Sequence, residues 1–190
     1  MNRPFFHPPV LRIEDARAVA EGPAKDILDI WDHARRGKFA PRLGKDFHLD
    51  DLGFDRVPCI SVVDVLGDSD DYFYRFWGTQ HTDVKGLEMS GKRLSECPLP
   101  GVIERGRTEF PELIRRRVPT AFIYEHEHRS GPPRAQTTCR FPLSTDGETV
   151  DGILSYQDLD NKTVVWDTFY ERFWGGKKPE MRIGVVEDEF

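Results

Sequence analysis

The chain has 190 residues, 27 of them Lys or Arg and 33 Asp or Glu, for a formal charge of −6 with neutral histidines. That length suits one domain able to bury a core without staples. The acidic balance excludes nucleic acid as the main partner, because gripping a phosphate backbone needs a basic surface. Hydrophobic residues make up 38% and charged residues 32%, and no apolar run approaches the roughly 20 residues that cross a bilayer. The first ten residues carry three prolines and no apolar signal core. Cys59, Cys97 and Cys139 are widely spaced and form no C-x-x-C, so they read as reduced thiols of a cytoplasmic protein with no membrane insertion.

Residues 1 to about 12 read as an extended, proline-punctuated arm, and 1–22 is set apart as an N-terminal arm. Gly22-Pro23 marks a helix start, after which Ile27, Ile30, Trp31 and Ala34 recur on one stripe, ending at Gly37 behind Arg35-Arg36. Pro41, Gly44 and Gly53 break the stretch to Pro58, with one helical turn at Leu49 to Leu52. Ile60 to Leu66 and Tyr72 to Trp77 then read as a hairpin across a polar loop. Thr79 is expected to cap a short helix. A longer helix is predicted over 101–117 from Ile103, Phe110, Leu113, Ile114 and Arg117, with Pro111 a kink or a restart and Arg115 to Arg117 favouring its C-terminal dipole. Strands follow at Ala121 to His128, Ala135 to Leu143 and Gly152 to Asp158, turned by Gly131 to Arg134 and by Asp146-Gly147. Helix, two strands, a helical middle and three strands predict an α+β domain over 23–160, an antiparallel sheet with helices on one face. A C-terminal helix and acidic tail fill 161–190, where Ile183 to Val186 either stay unpacked or add an edge strand.

Several segments carry a family resemblance: Trp31 to Gly37, Pro41-Arg42, Asp46-Phe47 to Leu52, Tyr72 to Thr79, Gly86 to Lys92, Phe141 to Ser144 and Asp146-Gly147. Together, over about residues 25–160, they resemble a PAS domain, of the variety found in short single-domain bacterial proteins. The resemblance implies five antiparallel strands in the order 2-1-5-4-3, with helices between the second and third. It also implies a sensory or adaptor role and a small-molecule cavity between sheet and helices. It supplies no catalytic residues, and the chain reads as a non-enzyme. Output is expected in trans, through a signalling partner, from a homodimer.

Phe73, Phe76, Ile123, Cys139, Phe141 and Leu154 are the candidate cavity-lining residues, against a plain reading as core. Phe73 and Phe76 differ in parity and share a face only if a bulge intervenes. His126 and His128 share a strand face and form a weak candidate metal pair that His81 or Cys139 would complete; a polar strand surface is the rival reading. No flavin or haem signature is present, so the cofactor is unknown. Arg42, Asp46 and Asp64 are candidates for ion pairs pinning the leader to the sheet. Trp166, Phe169, Tyr170 and Phe173 form an aromatic helical stripe, for internal packing or for docking a second subunit or partner. The alternative from another class is a cone-shaped enzyme of the ketosteroid-isomerase or dehydratase kind. It would use Asp64 as base and Tyr74 or Tyr124 as donor to an oxyanion.

Overall fold

A computed structural model describes residues 10–67, 71–126, 134–159 and 180–183. In chain order the elements are β1 (Val10–Asp15), α1 (Ala16–Val19), α2 (Gly22–Arg35), β2 (Ile60–Leu66), β3 (Asp71–Trp77), α3 (Thr79–Lys85), α4 (Pro100–Arg116), β4 (Thr120–His126), β5 (Arg134–Leu143), β6 (Gly152–Gln157) and β7 (Glu180–Ile183). The strands form one seven-stranded sheet in the order β3-β2-β6-β5-β4-β1-β7. Six are antiparallel to their neighbours, and β7 joins the edge parallel to β1.

Two differences from the sequence reading matter. Part of the N-terminal arm is a strand: β1 pairs along β4, with Leu11 opposite Tyr124 and Ile13 opposite Phe122. Leu11 and Ile13 are 0% and 1% exposed and form a small cluster with those two rings. Burying two such side chains stabilises by about 1.5–3 kcal/mol each, which holds the segment on the sheet. The second difference is that helices cover both faces, not one. Beneath α2 lie Val62, Ile123, Cys139, Phe141 and Leu154, with Trp31 and Ile27 pressing down from the helix. Trp31 donates its indole N–H to the Pro142 carbonyl at 2.8 Å, which satisfies its buried polar end. On the opposite face Val63, Tyr72, Tyr74, Trp77 and Ile153 pack with Phe110 and Leu113 of α4.

Local chemistry explains the boundaries. Pro23 occupies the first turn of α2, and the helix stops at Arg36, which takes the left-handed conformation (φ 49°) followed by Gly37 at φ 77°. The predicted turn near Leu49 is a 3-10 turn over Asp50–Leu52. Pro111 sits inside a continuous α4. A register shift between Val62 and Val63 leaves Val62 opposite Phe76 and Val63 opposite Tyr74. This bulge at Arg75 puts Phe73 and Phe76 on one face, the condition set by their parity. The outer edge of β3 is covered as well: Tyr74 exchanges backbone hydrogen bonds with Lys92 and Gly91 at 2.9 and 2.8 Å, which blunts an otherwise open strand edge.

Thr79 is not a cap; Gly78 holds that position and Thr79 begins α3. Gly78 donates its N–H to the Ile60 carbonyl at 2.8 Å, and a Cβ there would lie 2.2 Å from the Pro58 carbonyl oxygen and 2.7 Å from that of Ile60. Both obstacles are backbone, so the hairpin and α3 would have to separate. Gly78→Ala is therefore expected to cost about 3 kcal/mol, read as a lower urea midpoint at unchanged slope; a change within about 0.5 kcal/mol would contradict this packing.

Candidate functional site

The face of the sheet under α4 is unusual for an interior because its central strands present polar groups. Ser61 of β2, Ser155 of β6, Arg140 of β5 and Thr120 of β4 stand opposite one another across four strands. Gln157 and Thr138 form the next rung. All six are buried. Buried polar groups need partners, and α4 brings the main one, Glu109, which is 0% exposed.

Glu109 is the hub of this layer. One carboxylate oxygen accepts from the Tyr124 hydroxyl at 2.8 Å and from Arg105 Nε at 3.1 Å. The other accepts from Arg140 Nε at 2.6 Å and Nη2 at 2.5 Å. Arg105 lies one turn before Glu109, so their i,i+4 spacing aligns them on one helix face. Arg105 also donates to Gln136 Oε1 at 3.0 Å and Thr138 Oγ1 at 3.1 Å, while Arg140 donates to Ser155 Oγ at 2.6 Å. Rings flank the cations: Arg140 lies 4.5 Å from the Phe110 centroid, and Arg105 lies 4.5 Å from that of Tyr124. Burial opposes the charge on Glu109, but the Arg140 and Arg105 guanidiniums outweigh it and hold the carboxyl below the ordinary range. Burial, reinforced by the Glu109 charge, keeps the Tyr124 hydroxyl protonated well above the phenol range.

Beside this hub is a pocket of about 40 Å³ between α3, α4 and the sheet. Ser61, Tyr74, Thr138, Arg140, Ser155 and Gln157 line its sheet side. His81 and Lys85 come from α3, and Val102, Arg105 and Phe110 from α4, with Trp77 at the end of β3. Trp77 donates its indole N–H to the Leu87 carbonyl at 3.1 Å and meets the Tyr74 ring edge-on at 5.0 Å, so both rings are held in place. The His81 Nε2 donates to the Cys59 carbonyl at 3.1 Å. Gly106 lets α4 approach closely, since a Cβ there would lie 2.6 Å from a Leu94 methyl. The polar groups facing this space are hydroxyls, cations, the Gln157 amide and the His81 imidazole, suited to binding and orienting a small polar ligand.

None of the six residues proposed from sequence to line a cavity faces this pocket. Ile123, Cys139, Phe141 and Leu154 are core under α2, Phe76 packs at the margin of that core, and Phe73 shares its face by register. The alternation of β5 pointed the other way: its apolar positions are packed solid, and its polar positions border the space. Among the described residues no group of three candidate metal ligands converges. His126 closes β4, though its side chain and the whole of His128 lie outside the described residues. His81 sits on α3 at the pocket, whereas Cys139 belongs to the opposite face. Trp166, Phe169, Tyr170 and Phe173 lie outside the described residues. All three cysteines are buried and none is in a disulfide, and no helix among the described residues is long and apolar enough to cross a membrane.

The leader is not pinned by an ion pair to Asp64. Asp46 instead accepts from the Arg42 backbone N–H at 2.8 Å, and Ser144 donates its N–H to the Pro41 carbonyl at 3.1 Å. Asp64 is partly exposed, ion-paired to Arg75, and points to the face opposite that of its neighbour Val63, whose partner is Tyr74. It is therefore apart from both Tyr74 and Tyr124, the donors that a base at this position would need.

Removing the hub charge tests the site's electrostatics. At pH 7, Glu109→Gln leaves two guanidiniums without their carboxylate and is expected to cost about 3–5 kcal/mol. The folded value for Glu109 lies below the ordinary 4.5. Its stabilising contribution is thus complete above that value and lost as pH falls through the folded one. The gap between wild type and variant, measured by denaturation from pH 7 to pH 3, should narrow on the acid side; a constant gap would contradict the assignment. Sequence comparison adds no relative to this geometry: no protein-family model matches the chain, and no curated protein matches its sequence.

Proposed function

We propose that this chain is a PAS-type sensory module that takes a small polar ligand into the pocket under α4 and passes the result to a partner in trans. The observation that carries this is the order β3-β2-β6-β5-β4. Taken in chain order those five strands stand 2-1-5-4-3, with α3 and α4 between the second and third. The pocket lies between that helical segment and the sheet, where the resemblance leads one to expect a ligand. β1 and β7 extend the sheet beyond the five, on the far side of β4.

The layer under α4 also suits a signalling role. Its contacts are directional hydrogen bonds and ion pairs, with discrete arrangements, and a ligand inserted beside them favours one arrangement through differential affinity. A shift of α4 is then transmitted to whatever docks on the module. The partner surface is assigned to the C-terminal aromatic stripe, and the working unit to a homodimer.

Native mass spectrometry of the purified chain, compared with its denatured mass, tests this reading. The expected result is a small adduct that leaves on denaturation and is retained less by Arg140→Ala. Apo protein that also takes up nothing from a cytoplasmic small-molecule extract would overturn the ligand-sensing reading.

A further inference from the structure

Tyr74 and Ser61 are 3% and 5% exposed, and both line the pocket between α3, α4 and the sheet. Among the described residues neither hydroxyl is hydrogen-bonded to the protein. A buried hydroxyl without a partner forfeits the hydrogen bonds it made to water, so each marks a place where a bound group gains one. Burial keeps the Tyr74 hydroxyl protonated far above the phenol range, which makes it a donor at every physiological pH. Ser61 stands opposite Ser155 of β6, and its oxygen has two lone pairs to offer. Ser155 and Thr138 each accept from a guanidinium, at 2.6 and 3.1 Å, and each keeps a second lone pair and a proton.

Charge does not select an ion here. Arg105 and Arg140, which border the space, are both bonded to the Glu109 carboxylate, and the Lys85 ammonium lies 3.5 Å from Gln157 Oε1. An added anion would give up its hydration for guanidiniums that are already engaged. Size and lining narrow the choice further. About 40 Å³ takes roughly three water-sized groups, and Trp77, Val102 and Phe110 supply an apolar wall. The Trp77 indole is held by its bond to the Leu87 carbonyl at 3.1 Å, so that wall is in place before a ligand arrives.

From these two hydroxyls, this volume and this wall we infer that the pocket binds a neutral alcohol of two or three carbons, whose hydroxyl accepts from Tyr74 and donates to Ser61. The inference rests on reading the pocket as the sensory site. An alcohol oxygen both accepts and donates, which is the pairing that a phenol proton and a serine lone pair require. Its carbons lie on the side of Trp77, Val102 and Phe110, where their removal from water adds to the affinity.

The test titrates the full chain with propan-2-ol, acetone and sodium acetate, probes of equal heavy-atom count, at matched ionic strength, following backbone amide shifts by NMR. Ligands this small reach a Kd no tighter than about 40 μM, so the titrations run to roughly 100 mM. Propan-2-ol is expected to shift the amides of Ser61, Thr138 and Ser155 saturably, with acetone and acetate at least about threefold weaker. Tyr74→Phe keeps the ring and removes the donor, and should weaken propan-2-ol about three- to tenfold, as expected for a neutral hydrogen bond; Ser61→Ala is the second variant, with a loss in the same direction. Acetone binding as tightly as propan-2-ol would overturn the alcohol class, and acetate binding more tightly would overturn the neutral class; both leave a small-ligand sensor standing. Propan-2-ol binding unaffected by both variants would overturn the site. No saturable shift with any probe would overturn the alcohol inference alone, because the native-mass experiment judges the sensory reading separately.

Discussion

The Glu109 carboxylate is the constraint around which one half of this molecule is arranged. It is wholly buried and receives hydrogen bonds from Arg105 on its own helix, Arg140 on β5 and Tyr124 on β4. A charge in that position is tolerable only when fully paired, so the three donors fix where α4 lies along the sheet. That placement closes one wall of the pocket. It also explains why the sheet face beneath is polar: Thr138, Ser155 and Gln136 are the acceptors that the guanidiniums require once Glu109 is satisfied.

The two faces of the sheet consequently differ in what they contribute. Under α2 the packing is apolar, anchored by Trp31 against Phe141 and the Pro142 carbonyl, and its contribution is stability through removal of area from water. Under α4 the packing is directional, and a satisfied network of hydrogen bonds and ion pairs specifies one placement of the helix.

Much of the fold was legible because local chemistry and pattern agreed. The hairpin of β2 and β3, the strands β5 and β6 and the helix α2 follow from β-branched runs, turn residues and the Ile27–Trp31–Ala34 stripe. β1 was obscured by the preceding prolines, although Leu11 and Ile13 alternate with Arg12 and Glu14. The site was harder. Gln136, Thr138 and Arg140 alternate with Cys139 and Phe141 along β5, a pattern that ordinarily marks a solvent-facing polar side and a core-facing apolar side. Here both sides are buried, so the pattern directed attention to the packed face. The available signal was Arg105 and Glu109 at helical spacing among apolar residues of α4. Their meaning depends on Arg140, a partner 31 residues beyond Glu109, which no local window contains.

The central claim is that Glu109 remains ionised in the interior because two guanidiniums hold it. A carbon-13 NMR titration of its side-chain carboxyl tests this most directly. The account predicts a carboxylate shift that persists on acidification below the ordinary glutamate value of 4.5, with the Tyr124 hydroxyl proton slowed in exchange. A carboxyl that protonates at or above that value would mean that burial dominates, and that the arginine-bound hub does not organise this face.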